Sequence, residues 1–198
     1  MISGNQKKLK KKDFEKLKSI SESWEIDLYK LQPIEISLKL RQVFIKTKCK
    51  TVHGTDDFNH FDNYLIHLSK EKGIKIFGLE TDTLQLSLIK KENNPSWKSE
   101  RKTISFWINQ LTTETPDLSP CAFTNRYRNF DLDYKFDEEC NKDILIFQRN
   151  INWMQKIPDL LRTNNVFIAV GYLHLTRKCG LLEQLRYNGF KVEPVKLN

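Results

Sequence analysis

The chain has 198 residues, a net charge of +8 and an apolar fraction of 39%, which suits one domain of ordinary size with a real core. Residues 1–50 hold 13 Lys and Arg against 6 Asp and Glu, so +7 of the charge belongs to the amino-terminal part rather than to the whole surface. No window reaches the roughly 18 uninterrupted apolar residues of a spanning helix, and residues 1–6 lack the apolar stretch of a signal peptide.

The first segment, 1–29, reads as a basic helical arm. Lys7-Lys8-Leu9-Lys10-Lys11-Lys12 is its densest part. It lacks the interleaved Arg and aromatic residues that nucleic-acid binders use, so no specific nucleic acid is expected. Phe14, Leu17 and Ile20 lie near helical spacing over 13–23. Pro33 fits the first turn of a second helix, Ile34 to Thr47, with Ile36, Leu40, Val43 and Phe44 on one face. A loop over 49–59 leads to a third helix, about Phe58 to Lys72, with Phe61, Tyr64, Leu65 and Leu68 read as its inward face. His60 and His67 are two turns apart, about 10.5 Å, too far to share one metal.

Ile74 to Leu79 reads as a short strand, with Glu80 at its carboxyl end and a helix starting at Thr81 or Asp82. Trp97 to Leu111 is helical, with Ile104, Trp107, Ile108 and Leu111 on one side. Ala122 to Tyr134 starts as a helix. Asp143 to Leu161 reads as one long helix striped by Ile144, Phe147, Ile151, Met154 and Ile157, kinked near Pro158. Val166 to Val170 is an unbroken apolar run bounded by Asn165 and Gly171, the pattern of a buried strand. His174 follows it, where open α/β sheets place their ligands. A short helix, a glycine at 189 and a third strand, Lys191 to Lys196, complete the order. The expectation is an α/β fold, helix-rich around a small mixed sheet. Glu80 and His174 would point into one crevice, with Arg149 reaching in from the long helix. Three strands make a poor sheet, so either further strands hide in the amino-terminal half or the chain lacks part of a larger domain. Cys49, Cys121, Cys140 and Cys179 form no C-x-x-C pair. Cys121 and Cys140 are candidates for a bridge in an oxidising compartment, and independent thiols are the alternative.

Several blocks carry a resemblance. Phe77-Gly78-Leu79-Glu80-Thr81 with Gln85 resembles the GLET…Q block of the TraB/GumN family, which includes the Tiki and PrgY proteins. Gln148-Arg149-Asn150 with Trp153-Met154 and Ile157 resembles its RN…M…I helix. Val170-Gly171-Tyr172-Leu173-His174-Leu175, Gly180-Leu181-Leu182, Leu185, Gly189-Phe190, Val192 and Pro194-Val195 resemble its carboxyl-terminal block. The blocks come in the family's order, over about 30–197, a stretch that would form the family-like α/β domain, 30–198. The family's first Gly-x-x-His motif has no counterpart here, and Thr176 stands where the family has a small residue. The chain is therefore expected to start inside its domain.

The resemblance implies an erythromycin-esterase/Tiki-like fold and a metal-dependent, peptidase-like hydrolase. Glu80, His174 and Arg149 would be its catalytic positions, and Asn150, Gly171 and Tyr172 its substrate-binding positions. Glu80 and His174 would bind a divalent metal (Zn, Mn or Co). A hydrolytic metal site needs about three protein ligands, so metal binding is expected to be weak and the site incomplete. The alternative is a non-catalytic peptide-binding or inhibitory protein. A peptide or small-molecule substrate, an exported or periplasmic location and membrane association of a longer protein are further implications.

Overall fold

The computed structural model describes residues 9–53, 55–58, 60–92 and 96–195. It is 58% helical. The helices are α1 (Lys11–Ser21), α2 (Pro33–Thr47), α3 (Phe61–Glu71), α4 (Asp82–Glu92), α5 (Trp97–Thr112), α6 (Ala122–Arg128), α7 (Arg149–Met154), α8 (Ile157–Thr163) and α9 (Leu181–Tyr187). The chain divides into two compact units: residues 1–59 with 93–131, and residues 60–92 with 132–198.

The first unit is built on α2 and α5. Pro33 opens α2 where its missing N–H costs nothing. The Gln32 side chain accepts from the backbone of Glu35, and Glu35 accepts from Gln32 N–H, a capping box that satisfies two orphan donors. Ile36, Leu40 and Phe44 recur at helical spacing and are fully buried. Across from them, α5 buries Ile104, Trp107 and Ile108, with the Phe44 and Trp107 rings 5.2 Å apart. Phe14 and Leu17 of α1 join the same cluster. Each such side chain contributes about 1.5–3 kcal/mol by leaving water. A disulfide, Cys49–Cys121, ties the end of α2 to the turn before α6.

The second unit has a smaller core. Trp153, Ile157 and Leu181 are buried, with Leu79, Ile168, Val170, Leu175 and Leu185 packed on them. Its Cys140–Cys179 disulfide joins the segment ahead of α7 to the turn ahead of α9. The turn packs tightly at Gly180: a Cβ there would fall 2.5 Å from the Thr176 carbonyl oxygen, so only glycine fits without moving backbone.

Several sequence expectations are corrected. Among the described residues there is no strand, so the α/β fold around a mixed sheet does not hold. Ile74 to Gly78, Val166 to Val170 and Lys191 to Val195 carry no regular structure; Lys196 lies outside the described residues. A strand exists only through a neighbour about 4.8 Å away that takes its backbone hydrogen bonds. The backbone groups of Lys75–Leu79 and of Val166–Val170 meet no such partner among the described residues. Periodicity reported local character, and the partner was not local. The face of α3 read as inward is largely open: Phe61 is 68% exposed and no residue of this helix is buried. The Cys121–Cys140 bridge is also excluded, because each sulfur is bonded elsewhere. The single long helix over 143–161 is broken in three. A π-helical turn covers Ile144–Gln148, α7 follows, and Lys156 leaves helical geometry before α8, which carries Pro158 in its first turn. Of the Lys7–Lys12 run, Lys10, Lys11 and Lys12 are exposed, and Lys7 and Lys8 lie outside the described residues.

Peptide mapping of unreduced protein is expected to recover Cys49–Cys121 and Cys140–Cys179 as the cross-linked pairs. Replacing both Cys49 and Cys121 by Ser should lower unfolding free energy by about 4 kcal/mol through the span of 72 residues that the bridge closes. A recovered Cys121–Cys140 peptide, or a loss below about 1 kcal/mol, would contradict the arrangement.

Candidate functional site

The residues singled out from the sequence lie in the second unit, and the π-helical turn decides how they are presented. Its bond from Gln148 N–H to the Asp143 carbonyl, 3.1 Å, spans five residues instead of four. Ile151, read as part of the apolar stripe, is 41% exposed, whereas Asn150, Trp153 and Ile157 face inward. Arg149 flanks this buried face and reaches Glu80.

The Arg149–Glu80 contact is bidentate. Nε donates to Oε2 at 3.0 Å and Nη2 to Oε1 at 2.6 Å, while Nη1 donates to the Leu145 carbonyl at 3.1 Å. Both side chains are 12% exposed. Such a fork fixes direction as well as charge, and lysine cannot reproduce it. The guanidinium also lies 4.8 Å from the centre of the Trp153 ring. Glu80 stands on the bend just ahead of α4, two residues before its first helical residue.

His174 sits on the neighbouring side of the same indole, ring centres 4.4 Å apart. It belongs to a 3-10 turn, Tyr172–Leu175, that starts directly after Gly171. Its Nδ1 is 2.7 Å from the Asn150 Oδ1. The Asn150 Nδ2 donates to the His174 carbonyl at 3.1 Å and to the Cys179 carbonyl at 2.9 Å. Two carbonyl acceptors identify the amide nitrogen, so the oxygen faces His174. An acceptor there requires Nδ1 to carry the proton, which leaves the lone pair on Nε2. Burial, and then the Arg149 guanidinium, push the His174 pKa from 6.5 down to about 4, against opposing pulls from Glu80 and Asp143. The imidazole is therefore neutral at physiological pH.

The structure brings Glu80 and Arg149 into direct contact and sets His174 next to them across Trp153. Asn150, named from the sequence as substrate-binding, is 1% exposed and committed to three internal hydrogen bonds. It positions His174. Tyr172 is half-buried, and its hydroxyl donates to the Asp133 carbonyl. Gly171 has φ −62°, a value any residue adopts, and a Cβ would meet only the His174 Cδ2 at 3.8 Å. Nothing in the backbone demands glycine there. Trp153, which lies against both Arg149 and His174, stands out in the sequence only as part of a family block. Its signal is its offset of three residues from Asn150 along α7, visible once the π-helical turn sets the register. Among the described residues, no three His, Cys, Asp or Glu side chains gather as metal ligands.

The TraB/PrgY/gumN family model matches residues 4–194, and the chain belongs to that family. No curated protein and no solved structure matches it.

Two outcomes are expected from the geometry. Arg149→Ala should cost about 3 kcal/mol by leaving a largely buried carboxylate unpaired, and adding Glu80→Gln should recover part of that loss; a neutral Arg149→Ala in urea unfolding would contradict the pairing. The folded pKa of His174 is depressed, so between pH about 6.5 and about 4 the unfolded chain binds more protons, and stability falls as pH drops through that window. Denaturation of metal-free protein should show this slope, flattened by His174→Gln. A slope unaffected by the substitution would contradict a neutral, buried His174.

Proposed function

We propose that this member of the TraB/PrgY/gumN family is a hydrolase-like protein whose site, in this chain, is short of the groups needed for metal-dependent hydrolysis. The observation that supports the reading is the bidentate capture of Glu80. Each carboxylate oxygen accepts a bond from Arg149, so a metal using either oxygen would have to bind beside a guanidinium cation, against its charge. His174 is a better donor: its Nδ1 is fixed by Asn150 and its Nε2 keeps a lone pair, the arrangement that orients an imidazole ligand. One available imidazole and one occupied carboxylate do not fit a hydrolytic zinc centre, which uses about three protein ligands and an open position.

A second reading, non-catalytic peptide binding, has its own support. Ile74, Ile76, Phe77, Val166 and Phe167 are exposed. They lie on extended segments that lead to Glu80 and to the turn of His174, and the backbone groups of Lys75–Leu79 and Val166–Val170 pair with no other backbone among the described residues. Such segments offer a peptide both apolar contacts and main-chain hydrogen bonds. We also infer an oxidising compartment, because the four cysteines form two disulfides. Among the described residues no helix is long and apolar enough to cross a membrane.

Zinc calorimetry separates the readings. The expected result is binding weaker than about 10 μM, reduced further by His174→Ala, with no cleavage of an unfolded protein substrate detected by mass spectrometry. Tight stoichiometric zinc that His174→Ala abolishes, together with cleavage, would show that a third ligand completes the site and would overturn the proposal. Retention of uncleaved apolar peptides would favour the second reading.

A further inference from the structure

The two disulfides differ in what they hold and in how open they are. Cys49 and Cys121 are 5% and 4% exposed, inside the core of the first unit. Cys140 and Cys179 are both half-buried, so a reductant reaches them more easily. Only this second bridge abuts the polar network around His174. The Cys179 N–H points to the Cys140 Sγ at 2.9 Å, and the Cys179 carbonyl accepts from the Asn150 Nδ2 at 2.9 Å. The same amide group orients the His174 ring. One covalent bond thus stands two contacts away from the imidazole.

Besides the disulfide, the turn that carries Cys179 is held by close packing at Gly180 and by polar contacts. Arg177 has φ +66°, a left-handed backbone that arginine rarely adopts. Arg177 pairs with Glu138, and Lys178 with Glu139, at exposed positions where ion pairs hold weakly against water. Two backbone hydrogen bonds run from Arg177 N–H to the Tyr134 carbonyl and from Lys178 N–H to the Glu138 carbonyl, and Arg177 Nη1 donates to the Glu139 carbonyl at 3.4 Å and Gln184 Nε2 to the Lys178 carbonyl at 3.1 Å. The disulfide is the one covalent tie between this turn and the 134–140 segment.

We propose that the Cys140–Cys179 disulfide is a redox latch on His174. Closed, it keeps the Cys179 carbonyl on Asn150 and the imidazole fixed and sheltered. Opened, it loosens the turn, and Asn150 loses one of the two carbonyl acceptors that hold its amide in place. The reductant is a dithiol, small or protein-borne. Its thiolate attacks one sulfur of the bridge to give a mixed disulfide. Its second thiolate then displaces the protein cysteine. The dithiol leaves oxidised to a disulfide, and two electrons and two protons are left on Cys140 and Cys179 as thiols.

The test is the carbethoxylation rate of each histidine by diethylpyrocarbonate, mapped by mass spectrometry, on the full chain. His174 is 5% exposed, whereas His53 is exposed, so in oxidised protein His174 should react about tenfold more slowly than His53. Stepwise dithiothreitol should open Cys140–Cys179 before Cys49–Cys121, as read by alkylation. In that half-reduced protein His174 should react about tenfold faster than before, with helical circular dichroism and the His53 rate unchanged. The Cys140→Ser, Cys179→Ser double variant should show the fast rate without reductant, and the Cys49→Ser, Cys121→Ser variant the slow one. If the first variant does not fold, the dithiothreitol series on the native protein decides alone. A His174 rate that stays slow after Cys140–Cys179 has opened would overturn the proposal. So would a rate that rises only as the helical signal collapses.

Discussion

The second unit depends on one side-chain amide. Asn150 is buried with three hydrogen bonds, to the His174 carbonyl, the Cys179 carbonyl and the His174 ring. A buried amide left without partners costs about 1–3 kcal/mol per group, so the 3-10 turn, the disulfide turn and α7 are bound to one another through it. Trp153, one turn further along α7, supplies the apolar counterpart. Its indole touches both Arg149 and His174, and its burial anchors the small core with Ile157 and Leu181. The imidazole, the indole and the largely buried Arg149–Glu80 pair are therefore linked, through Trp153, to the buried amide of Asn150.

These contacts explain the electrostatics. His174 loses its charge because burial removes water from it and because a guanidinium stands nearby. Glu80 keeps a counter-ion in a fixed fork. The arrangement places an oriented, neutral imidazole with its Nε2 lone pair beside a neutralised carboxylate. It is suited to hydrogen bonding or to donating one ligand, and the commitment of Glu80 limits what it contributes to a metal.

Helices were legible in the sequence where the pattern was strong and the ends were marked. Pro33 with Gln32 and Glu35 announces α2, and Ile104, Trp107 and Ile108 announce the buried side of α5. Gly189, at φ +84°, marks the end of α9. That Val166–Val170 lies outside the helices was legible, but the strand expected there was not borne out, since a ladder needs a second strand whose position local pattern does not encode. Disulfide connectivity was equally hidden, because four cysteines allow three pairings. The inward face of the 143–161 region was misplaced because the stripe was drawn through apolar residues alone: Ile151 is 41% exposed, and the polar Asn150 takes the buried side with Trp153. The three residues named as catalytic, Glu80, Arg149 and His174, came from family blocks and strand-end logic. Asn150 was named as substrate-binding from the family block, and its burial and three internal hydrogen bonds were not legible in the sequence.

The central claim is that Asn150 fixes His174 as the neutral tautomer protonated on Nδ1. Long-range proton–nitrogen correlation spectra of the histidine side chains in metal-free protein measure this directly. The account predicts a His174 ring with its proton on Nδ1 and an unprotonated Nε2 near neutral pH, and loss of that single tautomer in Asn150→Ala. A His174 ring protonated on Nε2, or one averaging between tautomers in the unsubstituted, oxidised protein, would contradict it.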